Sequence, residues 1–422
     1  MPMADGRPPL MPVAEARQRI IADLPLMPSE DIGLLDGLGR VLAGDLIARR
    51  TQPPMAMSAM DGYAVRSADT TQLPVTLTRV GEAPAGGHYP GILGAGQAVR
   101  IFTGGPVPEG ADAVIIQEDV DASSEADGAD IVIKQPGQKG QYIRPAGLDF
   151  SAGSVGLPAG RRLTARDIGL AAAMDHPWLT VRRKPRIAIL ASGDEIVRPG
   201  EPIGANQIVS SNSFALAATI TAMGGEPVVI GIAPDDSDGL RSAADAARGC
   251  DMLVTTGGAS VGQHDLIQTA LSDHADDQYR LQVGFWRIAM RPGKPLIFGR
   301  LGQMPMLGLP GNPVSTLVCA QIFLRPAIER MLGIAASDDD YDLAILGRAL
   351  PANDQREDYL RCQLQRDEHG NLVAWPFERQ DSSMLSLMSS ADCLLVRQPF
   401  DQARALGDSV RILHFGDTAW RF

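Results

Sequence analysis

Cysteine and histidine are scarce in this chain, four of the first and six of the second in 422 residues. Cys250, Cys319, Cys362 and Cys393 stand far apart, none in a CxxC pair, and Cys319 and Cys393 lie in apolar stretches. They read as buried, reduced thiols. The histidines show neither HExxH nor a mixed His/Cys ligand spacing, which argues against a transition metal held by soft ligands. A metal handled by such a chain arrives as an oxyanion, or as a hard cation bound through oxygen. Nowhere does an apolar run approach the roughly 18 residues of a membrane span. The Pro-rich start, Met1 to Leu10, lacks the apolar core of a signal peptide, so a cytoplasmic protein is expected. Internal repeats, coiled-coil heptads and a GxSxG nucleophile elbow are missing too.

Positive charge is in deficit. Thirty-eight Lys and Arg against 50 Asp and Glu leave a net charge of −12, which argues against a nucleic-acid binder. One stretch reverses the balance. Between Asp277 and Glu329 there is no acidic residue, yet Arg280, Arg287, Arg291, Lys294, Arg300 and Arg325 fall there. A basic stretch in an acidic chain points to a small anion.

The length exceeds what one core usually serves, so two to four domains are expected. Helical spacing of Val13, Ala16, Ile20 and Leu24 predicts a first helix over 13–23, ended by Pro25. An amphipathic segment with interior glycines follows, Ile32 to Leu46. From Thr51 to Arg144 short β-rich runs (75–80, 98–102, 114–117, 131–133) are broken by Pro and Gly, the texture of a small β-domain. Its polar segment 123–130 reads as a hairpin tip. From Lys184 to Gly333 strands near 187–190, 228–232, 252–256 and 305–309 alternate with helices near 213–223, 238–248 and 265–271. Asn212 is the expected cap and Gly224 the stop of the first of these. A long helix opens at Pro313. This rhythm predicts a parallel sheet with helices on both faces. Beyond Asp340, short strands near 343–348, 360–365, 394–397 and 409–413 predict a separate C-terminal β-barrel.

In a doubly wound sheet ligands bind beyond the carboxyl ends of the strands. Four strand exits carry suitable residues: Ser192-Gly193-Asp194-Glu195; Pro234-Asp235-Asp236; Thr255-Thr256-Gly257-Gly258, with Ser260, Gly262 and Asp265; and Pro310-Gly311-Asn312-Pro313-Val314-Ser315. Glycine lets backbone N–H groups approach an anion. Glu195, Asp235 and Asp265 would share one rim, where they are either helix caps or oxygen ligands for Mg²⁺. The segment Trp286–Pro295 enters the same domain. It is either a solvated edge strand or, through Arg291-Pro-Gly-Lys294, a pair of cations suited to a tetrahedral oxyanion.

Seven segments occur in one order along nearly the whole chain: Ser58-Ala-Met-Asp61-Gly-Tyr-Ala64, Ile101-Phe-Thr103-Gly-Gly, Arg144-Pro-Ala-Gly147-Leu-Asp149, Ser192-Gly-Asp-Glu195, Thr255-Thr-Gly-Gly-Ala-Ser-Val-Gly262, Arg291-Pro-Gly-Lys294-Pro and Gly308-Leu-Pro-Gly-Asn-Pro-Val-Ser315. Together they resemble the molybdopterin molybdenumtransferase family, that of MoeA and the gephyrin E-domain. The resemblance implies an α/β multidomain fold. A MogA-like doubly wound domain (183–333) would bind molybdopterin. A helical or extended dimerisation domain (1–50 with 145–182), an inserted β-domain (51–144) and a C-terminal β-barrel (334–422) would surround it.

It implies a Mg²⁺-dependent molybdenum insertase that puts molybdate onto adenylated molybdopterin and releases AMP. A homodimer is implied, with the site between subunits, and a handover to molybdenum enzymes or their chaperones. By resemblance, Asp61, Thr103, Asp149, Glu195, Asp235 and Asp265 are catalytic, and Glu195, Asp235 and Asp265 are the metal ligands. Thr256, Gly257, Gly258, Ser260, Gly262, Arg287, Arg291, Lys294, Pro310, Pro313, Ser315, Arg361, Ser382 and Ser383 contact substrate. Arg287 and Arg291 stand where some members have lysine, and Leu148 replaces a frequent Glu. Two rival readings are an adenylyltransferase on the same α/β unit and a scaffold that binds a peptide partner.

Overall fold

The computed structural model describes residues 10–124, 126–257, 266–272, 280–335 and 341–415. The first helix, α1 (Val13–Asp23), ends where Leu24 turns extended ahead of Pro25. Val13, Ala16, Ile20 and Leu24 bury among Ile328, Met331 and Leu332, so α1 shares the core of the α/β unit. The segment 32–46 is no long helix. Ser29–Gly33 is a strand paired antiparallel with Trp178–Arg182, and Leu34–Asp36 is one short 3₁₀ turn. Leu46–Ile47 pairs with Val155–Leu157. These pairings close around α2 (Ala165–Ala173), whose N-terminus is a reciprocal capping box between Thr164 and Asp167.

Between these strands residues 51–144 fold into a six-stranded sheet. Gly62–Val65 lies antiparallel between Gln97–Ile101 and Ala113–Ile116. A side chain at Gly62 would come within 2.0 Å of the Ile115 carbonyl oxygen, so the glycine after Asp61 is set by close strand approach. Both faces carry a core, one around Tyr63, Leu77 and Ile131, the other around Ala64, Val99 and Ile101.

The central sheet runs Glu226–Ala233, Arg186–Ser192, Met252–Thr256, Met304–Leu309, Pro295–Leu301, Leu281–Arg287. The first four strands are parallel; the fifth runs against them, and the sixth pairs antiparallel with the fifth. Strands Arg186–Ser192 and Met252–Thr256 are apolar and buried on both faces, as a covered parallel sheet requires. One face is covered by α1, α3 (Asn212–Met223) and the long helix from Pro313; the other by α4 (Ser237–Asp245) and α5 (Leu266–Ser272). The long helix passes from α6 (Pro313–Cys319) through a π turn, Ala320–Leu324, into α7 (Arg325–Leu332). The wider turn sits just before Pro326, which has no N–H to give. Gly333, at φ 74°, ends it.

In the C-terminal region Glu357–Arg366 pairs with both Leu372–Pro376 and Cys393–Arg397, which closes the sheet into a barrel. The strand Leu372–Pro376 and the short helix Leu385–Ser389 had no clear sequence signal. Met290–Arg291, from the α/β unit, adds to this sheet as a parallel partner of Glu357–Asp358. Tyr359, Leu394, Val396 and Leu413 complete the seam in the core shared with α6 and α7. Cys319, Cys362 and Cys393 are buried thiols, and Cys250 is half-buried. No helix of the described residues is long and apolar enough to cross a membrane.

Candidate functional site

The carboxyl ends of the parallel strands open into a cavity of about 440 Å³. Ser192 and Glu195, Ser210 to Asn212, Thr256 and Gly257, Pro310 to Pro313 and Ser315 line it. Gly257 has φ +89°, and a Cβ there would stand 2.3 Å from the Ser192 carbonyl oxygen; only glycine fits between these two strand exits. Asn212 was expected to cap α3, but it is the first helical residue and caps nothing. Its Nδ2 donates to Thr256 Oγ1 at 2.9 Å and to the Gly311 carbonyl at 2.7 Å, tying two strand exits together. The Thr316 hydroxyl holds the same turn through the Pro310 carbonyl at 2.6 Å. Ser315 is 4% exposed, and the Ser192 hydroxyl, also buried, has no partner among the described residues.

Glu195 is the only charged group in the described lining. Beyond it lie Asp194, which accepts from Asp235 N at 3.3 Å, and Asp235 itself. Burial pushes the Asp235 carboxyl upward, and the charges of Asp194 and Glu195 add to this. Capping falls to its neighbour Asp236, which accepts from Gly239 N, so the capping reading does not hold for Asp235. Gly258, Ser260, Gly262 and Asp265 lie outside the described residues. Among those described, no group of three or more His, Cys, Asp or Glu side chains is placed to hold a metal.

Basic residues gather on the side facing the barrel. Arg287 lies on the edge strand but is 8% exposed, so the solvated-edge reading does not hold for it. Arg291 forks onto Asp358, and Lys294 is half-buried. Arg361 is 1% exposed and donates through Nη2 to the Asp381 carbonyl at 3.1 Å. Next to it Ser382 meets the α/β turn directly: Asn312 Nδ2 donates to its hydroxyl at 2.9 Å, and Val314 N to its carbonyl at 3.2 Å. The Ser383 hydroxyl donates to the Asp381 carboxylate.

The remaining candidates sit elsewhere. Asp61 accepts from Thr103 N at 2.6 Å and Thr103 Oγ1 at 2.7 Å, and these bonds hold its carboxyl below the ordinary range, helped by Arg100. Asp149 borders a second cavity of about 380 Å³, with Phe150, Ser151 and Met174. None of Asp61, Thr103 and Asp149 belongs to the described lining of the strand-exit cavity. Asn212 and Asp358 were not read as site residues from the sequence. Asn212 had the local signature of a cap, and Asp358 stood in no segment that carried the resemblance.

A doubly wound unit, preceded by the unit around α2 with its inserted β-domain and followed by a closed barrel, defines a class of four-part α/β protein. Residues 11–174 match the MoeA N-terminal region (domain I and II), 188–330 a probable molybdopterin binding domain, and 344–415 the MoeA C-terminal region (domain IV). The chain is 32% identical to the molybdopterin molybdenumtransferase of Haemophilus influenzae over 409 residues, 96% of this chain and 99% of that one. With the Bacillus subtilis protein of the same name it shares 30% over 416 residues, 97% and 95% of the two chains. A solved molybdopterin biosynthesis MoeA protein from Pyrococcus horikoshii superposes with TM-score 0.82 at 27% identity, covering 96% of this chain and all of that one. The chain belongs to the molybdopterin molybdenumtransferase family.

Proposed function

We propose that this protein inserts molybdenum into molybdopterin, using molybdate and the adenylated pterin as substrates and giving molybdenum cofactor and AMP. Dithiolene sulfurs replace oxo ligands of molybdate, and water cleaves the phosphoanhydride. The observation that carries the reading is the junction at Pro310–Ser315. There the strand-exit cavity, lined by hydroxyl, amide and carboxylate groups, abuts a barrel wall holding the buried cation Arg361. Two anions brought together need separate subsites, and a cation between them offsets their repulsion. Lys294, Ser315, Arg361 and Ser382 are our candidates for the molybdate side. Thr256 and Gly257 are those for the pterin nucleotide.

The donor set fits Mg²⁺, a hard ion that takes one or two carboxylates and completes its shell with water and phosphate oxygens. Glu195 and Asp235 are close enough for one charge to disturb the other, a repulsion that a bound cation relieves. When bound, the ion would neutralise charge on the pyrophosphate. Asp265 belongs to the same proposal. So does a homodimer, in which Asp61, Thr103 and Asp149 reach the cavity of the partner. Their absence from the described cavity lining of a single chain supports that arrangement. The domain division at 50/51, 144/145, 182/183 and 333/334, a cytoplasmic setting and delivery of the cofactor to molybdenum enzymes complete the reading.

The test is to incubate the purified protein with adenylated molybdopterin, Mg²⁺ and increasing molybdate. AMP release and cofactor formation should both saturate with molybdate. Release of pyrophosphate from ATP and molybdopterin would identify an adenylyltransferase instead. Light scattering decides the oligomeric state.

A further inference from the structure

Asp61 and Thr103 meet at one end of the inserted sheet. Asp61 precedes the strand Gly62–Val65, and Thr103 follows Gln97–Ile101, its antiparallel neighbour. The same register sets Arg100 opposite Tyr63, and residues directly opposed on neighbouring strands point to one face. The Arg100 guanidinium lies over the Tyr63 ring, 5.2 Å from its centroid, and over the Phe102 ring at 4.8 Å. Stacking of this kind holds a planar cation by its faces and leaves the N–H groups along its edge to bond.

Those donors go to segments that flank Asp61. Nη1 donates to the Gly62 carbonyl at 3.1 Å and Nη2 to Gln117 Oε1 at 2.8 Å. Gly62 follows Asp61 in the chain, and Gln117 N donates to the Asp61 carbonyl at 3.1 Å. Phe102, which the guanidinium covers, precedes Thr103, whose N–H and hydroxyl both donate to the Asp61 carboxylate. One half-buried side chain thus touches three segments that orient an exposed carboxylate.

We propose that Arg100 is a positioning residue: by bracing Gly62, Gln117 and Phe102 it fixes the direction in which Asp61 and Thr103 face the substrate. The proposal rests on the insertase reading above, in which that pair takes part in the reaction. A reacting group misplaced by about 1 Å can lose about 100-fold in rate. A role as an anion ligand predicts something else. Loss of Arg100 would then raise a KM, and would do so whether or not Asp61 is present.

The experiment measures kcat, and KM for molybdate and for the adenylated pterin, in full-length Arg100→Met and Arg100→Lys. Each is made with Asp61 intact and with Asp61→Asn. With Asp61 intact, Arg100→Met should lower kcat about tenfold or more and leave both KM values within about twofold, since orientation changes and binding does not. Lysine, the variant that keeps the test open if methionine prevents folding, retains a charge over the rings but cannot hold both acceptors, so kcat should fall about threefold. In the Asp61→Asn background either change should alter kcat by less than about twofold, because the group being positioned is already lost. Losses that multiply in that background, a KM that rises while kcat holds, or wild-type kcat in Arg100→Met each overturn the proposal. If wild-type protein forms no cofactor from molybdate and the adenylated pterin, the insertase reading falls and this one with it. If wild type turns over and the losses multiply, only this inference falls.

Discussion

Along the carboxyl ends of the parallel strands the polar groups are hydroxyls, carboxamides and carboxylates. Across the seam, the barrel buries guanidiniums. On the first side charge is left in excess: burial makes Asp235 hold its proton more tightly, and the neighbouring charges of Asp194 and Glu195 add to this. On the second side charge is mostly matched. Arg397, 4% exposed, bonds to Asp401 and to the carbonyls of Pro351 and Gln402; Arg291 bonds to Asp358. Matched buried ions hold a structure in register, while an unmatched one invites a ligand. By that criterion our proposal puts a cation at the carboxylate rim and an anion at Arg361, whose buried Nε has no partner among the described residues.

The comparison can be broken hardest at the turn where both sides meet. Gly257→Ala puts a methyl group against the Ser192 carbonyl on a backbone with φ +89°. It should cost about 2 kcal/mol or more in stability and abolish activity, read by thermal melting and turnover. A well-folded, active Ala variant would show that the two strand exits are not held as close as they stand here. Next in size is Asp61→Asn in the inserted domain. The Asp61 carboxylate is solvent-exposed and, among the described residues, bonds to Thr103, so the melting temperature should not move while turnover falls about 100-fold. Thr103→Val, which removes one of the two bonds, should fall less. Equal loss of melting temperature and turnover would reduce Asp61 to a structural role.

Asp235→Asn sharpens the contrast from the carboxylate side. A raised carboxyl binds its proton more tightly folded than unfolded. Its fold therefore loses stability as pH rises from the ordinary carboxylate value through the raised one, and the loss persists above it. The Asn variant should then melt about 1–2 °C higher than wild type at neutral pH, with the gain vanishing below about pH 3. Added Mg²⁺ should raise the wild-type melting temperature and leave the variant nearly unchanged. The smallest effect belongs to Asp354, on the matched side. Hydrogen bonds from Arg356 hold its carboxyl at about 2, so its contribution is present above the ordinary value and lost as pH falls through about 2. Its side chain is 43% exposed, and Asp354→Asn should cost under about 1 kcal/mol at neutral pH. In acid melts the two proteins should converge.

Much of this was legible beforehand. Apolar runs bounded by Gly and Pro placed the strands Arg186–Ser192 and Met252–Thr256, and helical spacing placed α1 to its last residue. Those signals sit within a dozen residues of one another, so tertiary context had little to override. Asn212 shows the limit. At a helix start its side chain has a local alternative, capping, and only the packed structure presents Thr256 and Gly311 as better acceptors, 44 and 99 residues away. Segment 32–46, read only as amphipathic, shows the same limit: its ends serve two strand pairings with residues beyond 150.

The sequence by itself determined the family, through ordered segments, and the alternation of strand and helix, through periodicity. It also placed a basic stretch next to the strand exits. Only the tertiary structure decided which of those cations is already committed. Arg291 and Asp358 are 67 residues apart and meet because a two-residue strand of the α/β unit joins the barrel. Charge is a property of the residue, but its availability depends on what is packed against it, and that is settled by contacts no local pattern records.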